Sequence, residues 1–163
     1  METITTNVYT IGELSEVAKE KARDWYRDVY GDDPMLPAHM QNLTAEALEE
    51  RGYKIEGHRV DVYYDLNYVQ RSGFYFTGVI VKDDVRYTVS QRGMGYTCFI
   101  TYEDANGEMF DAPQAVRDDV KAVNKEMLAR GRAELEYQDS AEYIDEALEA
   151  NEYTFTIDGK RFG

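Results

Sequence analysis

Residues 74–81 read Phe-Tyr-Phe-Thr-Gly-Val-Ile-Val, and this stretch decides the fold class of the chain. Aromatic and β-branched side chains in such a run favour a β-strand. Residues 60–67 alternate apolar with polar side chains, and two more strand-like segments follow at 86–90 and 96–102. Turn-forming residues separate these segments at positions 73, 82–84 and 93–95. Because connections this short join neighbouring strands, the pattern predicts an antiparallel meander.

Helical periodicity flanks the predicted sheet on both sides along the chain. Apolar residues recur at three- and four-residue spacing in four segments, which predicts amphipathic helices. These helices are expected at residues 12–30, 38–51, 113–137 and, after a cap at Asp139 or Ser140, up to residue 150. Residues 153–162 predict a terminal hairpin around Asp158-Gly159, a favoured two-residue turn. The order predicts a single α+β domain over residues 1–163, with an antiparallel sheet of about four to six strands packed against three to four helices.

Composition excludes several classes of protein. The chain has 163 residues, with 32 acidic and 18 basic side chains, and its formal net charge is −14. Direct binding to nucleic acid is not expected, because clustered Lys and Arg are needed to displace the counterions of the phosphate backbone. No apolar run approaches the roughly 20 residues of a membrane span, and the first residues lack the pattern of a secretory signal. We therefore expect a cytoplasmic protein.

Few residues have side chains suited to catalysis or metal binding. His58 and Asp61 are three residues apart, a spacing found in metal sites and in His–Asp pairs that act as a general base. Zinc, however, usually requires three or four ligands. The single cysteine, Cys98, lies in an apolar strand with no evident base beside it. His39 and the aspartate pairs 83–84 and 118–119 are typical of solvated surface. The sequence therefore predicts no catalytic residue, no metal site and no cofactor.

The sharpest feature of the sequence is a segment without positive charge. Residues 133–159 contain no Lys or Arg but nine acids, which are Glu134, Glu136, Asp139, Glu142, Asp145, Glu146, Glu149, Glu152 and Asp158. Four of them recur at i, i+3, i+4 and i+7 on one side of the predicted fourth helix, away from Ile144 and Leu148. These four are Glu142, Asp145, Glu146 and Glu149. Their mean axial spacing of about 3.5 Å is close to the roughly 3.4 Å between phosphates of one DNA strand. The segment predicts either a DNA-like recognition face or a plain solvated surface.

Tyrosines form a second candidate contact surface. The chain has 14 tyrosines, and several lie in or beside the first two predicted strands. Exposed tyrosine is common at protein interfaces, because its ring offers apolar area and its hydroxyl a hydrogen bond. We therefore include Tyr63, Tyr68 and Tyr75 with the acidic residues as candidate partner-binding residues. The alternative, that other parts of the chain cover both faces of the sheet, is equally compatible with the sequence.

Three stretches resemble a known family. Residues 13–26 (Glu-Leu-Ser-Glu-Val-Ala-Lys-Glu-Lys-Ala-Arg-Asp-Trp-Tyr), 72–78 (Ser-Gly-Phe-Tyr-Phe-Thr-Gly) and 150–162 (Ala-Asn-Glu-Tyr-Thr-Phe-Thr-Ile-Asp-Gly-Lys-Arg-Phe) resemble small acidic phage and prophage proteins. Proteins of that family are often labelled "antitoxin of toxin–antitoxin stability system". The resemblance implies an accessory protein of a bacteriophage or mobile element, and it supplies no catalytic residue.

These observations lead to one preferred hypothesis and two alternatives. The preferred one is a non-enzymatic inhibitor that binds a host protein with a basic surface, such as a nucleic-acid-handling defence or repair factor. Anti-CRISPR, anti-restriction and DNA-mimic proteins belong to this class. The first alternative is an antitoxin that neutralises a cognate toxin. The second is an enzyme of unknown type, which a pocket lined by His58, Asp61 and Cys98 would favour. The sequence gives no oligomeric state.

Overall fold

The structure is a computed structural model that describes residues 1–31, 33–68, 73–91, 96 and 98–163, with the backbone alone at His58. These residues form two compact units. We call Pro34–Ala133 the central unit, and Met1–Asp33 together with Glu134–Gly163 the terminal unit. The single domain expected over residues 1–163 stays a prediction.

The central unit is built on a five-stranded sheet. Its strands follow the chain order and every neighbouring pair is antiparallel, as in the predicted meander. The strands are β1 (Lys54–Asp65), β2 (Gly73–Lys82), β3 (Val85–Gln91), β4 (Cys98–Glu103) and β5 (Met109–Asp111). The strand β5 and the first half of β1 were not predicted, whereas β2 and β3 lie within a residue or two of their predicted bounds.

Two backbone features shape the sheet. Asp83 and Asp84 both have positive φ angles, 51° and 62°, and connect β2 to β3 within the turn predicted at residues 82–84. Gly57 also has a positive φ, 87°, but it lies inside β1 where the register with β2 shifts between Glu56 and Asp61. It therefore belongs to a β-bulge. The strand continues through this glycine, and for that reason the expected strand start at residue 60 was wrong.

Helices α2 (Leu36–Glu50) and α3 (Gln114–Gln138) supply the rest of the core of the central unit. The two helices come close at Gly131, where a Cβ would lie 2.8 Å from Cδ2 of Leu66 and 3.2 Å from Cε of Met40. This glycine permits close packing within an otherwise helix-favouring segment. The buried apolar side chains of this core include Met40, Leu48, Val60, Phe76, Ile80, Val89, Val120, Val123 and Met127.

The terminal unit brings the two ends of the chain together. A 3-10 turn at Ile11–Glu13, α1 (Glu16–Tyr30) and α4 (Ala141–Ala150) pack around a cluster of buried apolar side chains. Phe155 lies at the centre, fully buried, and its backbone bridges antiparallel to Tyr9 on one side and Arg161 on the other. The predicted terminal hairpin is thus present as single bridges, with no strand assigned to it among the described residues. The ring of Trp25 contacts that of Phe155 edge to face at 6.2 Å.

Within the described part of the chain there are four α-helices and one antiparallel sheet, so the predicted α+β class is confirmed. None of these helices is long and apolar enough to cross a lipid bilayer.

Candidate functional site

Charge is divided unequally between the two units. The terminal unit carries 17 acidic and 6 basic side chains, a formal charge of −11, whereas the central unit carries 15 and 12, a formal charge of −3. Most of the net charge of −14 therefore belongs to 63 residues at the two ends of the chain. A surface potential of one sign is concentrated there, and such a potential attracts oppositely charged partners.

Helix α4 presents part of the predicted acidic face. Ser140 caps its first turn, accepting a hydrogen bond from the N–H of Tyr143 at 3.2 Å. Ile144 and Leu148 are fully buried, which fixes the rotation of the helix. On the solvent side lie three exposed acids, Glu142, Glu146 and Glu149. The expected exposure of these three side chains is confirmed.

Asp145 does not belong to the exposed acidic face that the sequence predicts for four acids of α4. Its carboxylate accepts two hydrogen bonds from Arg23 of α1, at 2.8 Å from Nε and 2.7 Å from Nη2. The Arg23 side chain is only 11% exposed and that of Asp145 is 32% exposed. Hydrogen bonding to Asp145 raises the pKa of Arg23 above its ordinary value. Asp145 follows Ile144 directly, so it lies at the edge of the buried stripe and forms an internal ion pair instead of facing water.

Asp139 also has a partner on α1. Its Oδ1 lies 3.3 Å from Nε of Arg27, and its backbone carbonyl accepts a 3.1 Å hydrogen bond from the same guanidinium. Arg27 further contacts Glu20 at 2.8 Å and Asp24 at 2.9 Å. Two arginines one helical turn apart, Arg23 and Arg27, therefore bind acids of both α1 and the predicted acidic segment.

Several acids of this segment form no ion pair among the described residues, and we call three of them the acidic cluster: Glu134, Glu142 and Glu146. Their charges act on Tyr137, which is 44% exposed. The charge of Glu146, followed by burial and the charges of Glu142 and Glu134, raises the pKa of Tyr137. Glu134 also accepts a 2.9 Å hydrogen bond from the Gln138 amide. Glu136 is exposed nearby in sequence. The acidic cluster and the exposed Tyr137 together form a surface that suits cationic side chains.

The predicted tyrosines belong to the central unit, so they do not share a unit with the acidic cluster. Tyr63 is 45% exposed and stacks on Tyr75 at 4.7 Å between ring centroids. Tyr75 itself is buried, and burial raises its pKa, so it offers little surface for the contact role that the sequence predicts. Tyr68 is well exposed, with the Arg132 guanidinium 4.3 Å from its ring centroid. Tyr63 and Tyr68 keep surface available to a partner.

The residues with catalytic potential form no constellation in the described structure. Cys98 is half-buried, its Sγ lies 3.8 Å from the carbonyl oxygen of Phe76, and burial raises its pKa. A raised pKa keeps the thiol protonated at neutral pH and makes it a poor nucleophile. Asp61 is 3.8 Å from Arg59, and the side chain of His58 lies outside the described residues. Among the described residues no three His, Cys, Asp or Glu side chains are close enough together to hold a metal ion.

The aspartate pair at 118–119 has structural partners. Asp119 accepts a 2.7 Å hydrogen bond from the Tyr53 hydroxyl and lies 3.9 Å from Lys82, while Asp118 accepts one from Gln114. This anchoring role was not predicted from the sequence, and neither were the roles of Arg23 and Arg27. Their spacing of four residues on α1 was the available signal, but it does not reveal which acids they bind.

Comparison with protein-family models, with curated proteins and with solved structures finds no match to this chain.

Proposed function

We propose that this protein is a non-enzymatic binding protein whose acidic terminal unit occupies a basic surface of another protein. The observation that carries the proposal is the concentration of charge in that unit, −11 of the total −14, with the acidic cluster left without a cation among the described residues. Partners of opposite charge associate faster in such a field. A nucleic acid would be repelled by the same field, so the partner is a protein.

The proposed partner is a host factor that handles nucleic acids. Proteins of this kind carry basic grooves that bind phosphates, and an acidic surface with an exposed tyrosine competes for such a groove. The resemblance to small phage and prophage proteins supports an inhibitor of host defence or repair, acting in the bacterial cytoplasm. Anti-CRISPR, anti-restriction and DNA-mimic inhibition all fall within this proposal.

The same resemblance favours a second candidate, an antitoxin. An antitoxin would use the acidic surface on a cognate toxin encoded beside its own gene. The two candidates make different predictions for the protein captured from cells. A product of the neighbouring gene indicates the antitoxin, and a host nuclease, helicase or repair factor indicates the inhibitor.

The experiment compares two triple variants with equal changes in net charge. Glu134→Gln, Glu142→Gln and Glu146→Gln remove the acidic cluster. Three exposed acids of α2 provide the matched control, as Glu46→Gln, Glu49→Gln and Glu50→Gln. A tagged wild-type protein captures the partner from bacterial lysate, and the association rate of that purified partner is then measured with each variant at low and high salt.

We expect the cluster variant to associate about tenfold more slowly at low salt, because steering by charge acts mainly on the association rate. The control variant should stay within about twofold of wild type, and both differences should shrink as salt screens the charges. Equal effects of the two variants would reduce the mechanism to net charge alone. An unchanged rate for the cluster variant would remove the acidic cluster from the mechanism and shift attention to Tyr63 and Tyr68.

A further inference from the structure

The central unit contains a cavity that neither the acidic cluster nor the exposed tyrosines use. It has a volume of about 590 Å³ and lies between β4 and α3. Cys98 and Ile100 of β4 line it together with Arg117, Val120, Lys121 and Asn124 of α3. Cavities of roughly 300 to 1,000 Å³ are of the size that holds one small organic molecule.

Two cations line this cavity in a strongly acidic protein. Arg117 and Lys121 are four residues apart on α3, so their side chains lie on the same face of the helix. No ion pair joins either of them to a carboxylate among the described residues. Their acidic neighbours in sequence have other partners, since Asp118 binds Gln114 and Asp119 binds Tyr53 and Lys82. Like charges at this spacing destabilise a helix slightly, and a bound anion would remove that cost.

Apolar and polar side chains line the rest of the cavity beside these two cations. Ile100 and Val120 are buried and offer apolar surface beside the two cations. Asn124 lies one turn beyond Lys121, with its Nδ2 4.0 Å from Sγ of Cys98. Its Oδ1 is buried and has no hydrogen-bond donor among the described residues, an arrangement that is unfavourable in proteins unless a ligand or water supplies the donor. A site with an apolar wall and a few convergent polar groups is typical of small-molecule binding.

We propose that this cavity binds a small organic anion. Its charged group, a carboxylate, sulfonate or phosphate ester, lies between Arg117 and Lys121, and its apolar body packs on Ile100 and Val120. Charge complementarity selects the anion, since a neutral molecule of the same shape gains only the apolar contact. The inference is independent of the proposed binding of a basic protein, because it uses residues of the central unit alone. No reaction is involved.

The test uses a matched pair of fluorescent probes, anilinonaphthalene sulfonate as the anion and N-phenylnaphthylamine as its neutral counterpart. Titrations are run with the wild type, with Arg117→Gln/Lys121→Gln and with the control Lys125→Gln, which removes an exposed cation of α3 outside the cavity lining. We expect the wild type to bind the anionic probe at one saturable site. The double variant should weaken this binding by about tenfold or more, as expected for the loss of a charge-assisted contact.

Two comparisons place the probe in the cavity. Binding of the neutral probe should be equal for the wild type and the double variant, and Lys125→Gln should change the affinity for the anion by no more than about twofold. Saturating anilinonaphthalene sulfonate should slow alkylation of Cys98 by N-ethylmaleimide in the wild type and not in the double variant. The side chains of Arg117 and Lys121 are exposed, so both variants should keep the wild-type circular dichroism and melting temperature.

The inference is overturned if the double variant binds the anionic probe as tightly as wild type. It is also overturned if Lys125→Gln weakens binding equally, since the probe then responds to diffuse charge, or if the probe leaves the alkylation rate of Cys98 unchanged. Failure of this experiment would leave the partner-binding proposal untouched, because that proposal is tested with substitutions in the terminal unit.

Discussion

The terminal unit and the central unit maintain their folds by different means. In the central unit, a ladder of backbone hydrogen bonds runs through five strands. The formal charge of this unit is only −3, so its acidic and basic side chains nearly balance. Among its described residues, the terminal unit has single-residue bridges at Phe155 and no assigned strand, and side chains join its helices. There, Arg23 and Arg27 bind acids that would otherwise repel one another. A unit with no sheet among its described residues thus depends on particular ion pairs, and the acidic cluster takes no part in them.

The largest expected effect separates the two units by their cores. Phe155→Ala should cost about 3–5 kcal/mol, because it removes a fully buried ring from the centre of the terminal unit. The matched variant, Phe76→Ala, removes an equally buried ring from β2 of the central unit. Hydrogen exchange should show lost amide protection in α1 and α4 for the first variant and in β2 and β3 for the second. Equal loss throughout the chain for both variants would instead indicate the single cooperative domain expected from the sequence.

The next effect tests the dependence of the terminal unit on its ion pairs. Asp145→Lys should lower the free energy of unfolding by about 2–4 kcal/mol, because it places a positive charge against the nearly buried Arg23. Glu149→Lys is the matched reversal on the same helix, at an exposed position in the last turn. It should lie within about 0.5 kcal/mol of wild type, since a cation there suits the helix dipole. Thermal or urea unfolding measures both. Equal stabilities would mean that the Arg23–Asp145 pair contributes nothing.

A smaller effect is expected from a hydrogen bond of the central unit. Tyr53→Phe removes the hydroxyl that donates to Asp119 and should cost about 1 kcal/mol. Burial, followed by the hydrogen bond to Asp119, raises the pKa of Tyr53. Its stabilising contribution is therefore present below the ordinary tyrosine pKa of 10.0 and is lost as pH rises through the higher pKa of the folded state. Urea unfolding between neutral and alkaline pH should show a shallower loss of stability for the variant. Parallel curves would contradict this.

The smallest effect concerns Glu20, an exposed acid that accepts hydrogen bonds from both arginines of the terminal unit. Hydrogen bonds from Arg27 and then Arg23 lower its pKa below 4.5. The contribution of the ionised side chain is present above that ordinary value and is lost as pH falls through the lower pKa of the folded state. Glu20→Gln should therefore melt slightly below wild type at neutral pH and converge with it in acid. A difference between the two proteins that persists unchanged to pH 3 would contradict this assignment.

Much of the fold was predictable because it depends on local signals. The apolar stripes of α1 and α3, the Ser140 cap of α4 and the run of β2 all follow from side chains close together in sequence. The paired aspartates at 83–84 lie in the turn that their position predicted. The three-residue strand β5 was missed, because so short a segment has no measurable period. The first half of β1 was missed as well, because the glycine of a bulge has the same local signature as the glycine of a turn.

The sequence by itself determined that a long segment near the end of the chain is acidic, that α4 has an apolar and a charged side, and that the chain is α+β. Only the tertiary structure decided which acids of that segment form ion pairs and which do not. Arg23 and Asp145 are 122 residues apart, and no local pattern shows that they meet. The cavity that brings Arg117 and Lys121 beside Ile100 has the same origin. Periodicity reports which side of an element is buried, whereas the charges facing each other across a core are set by how the elements pack.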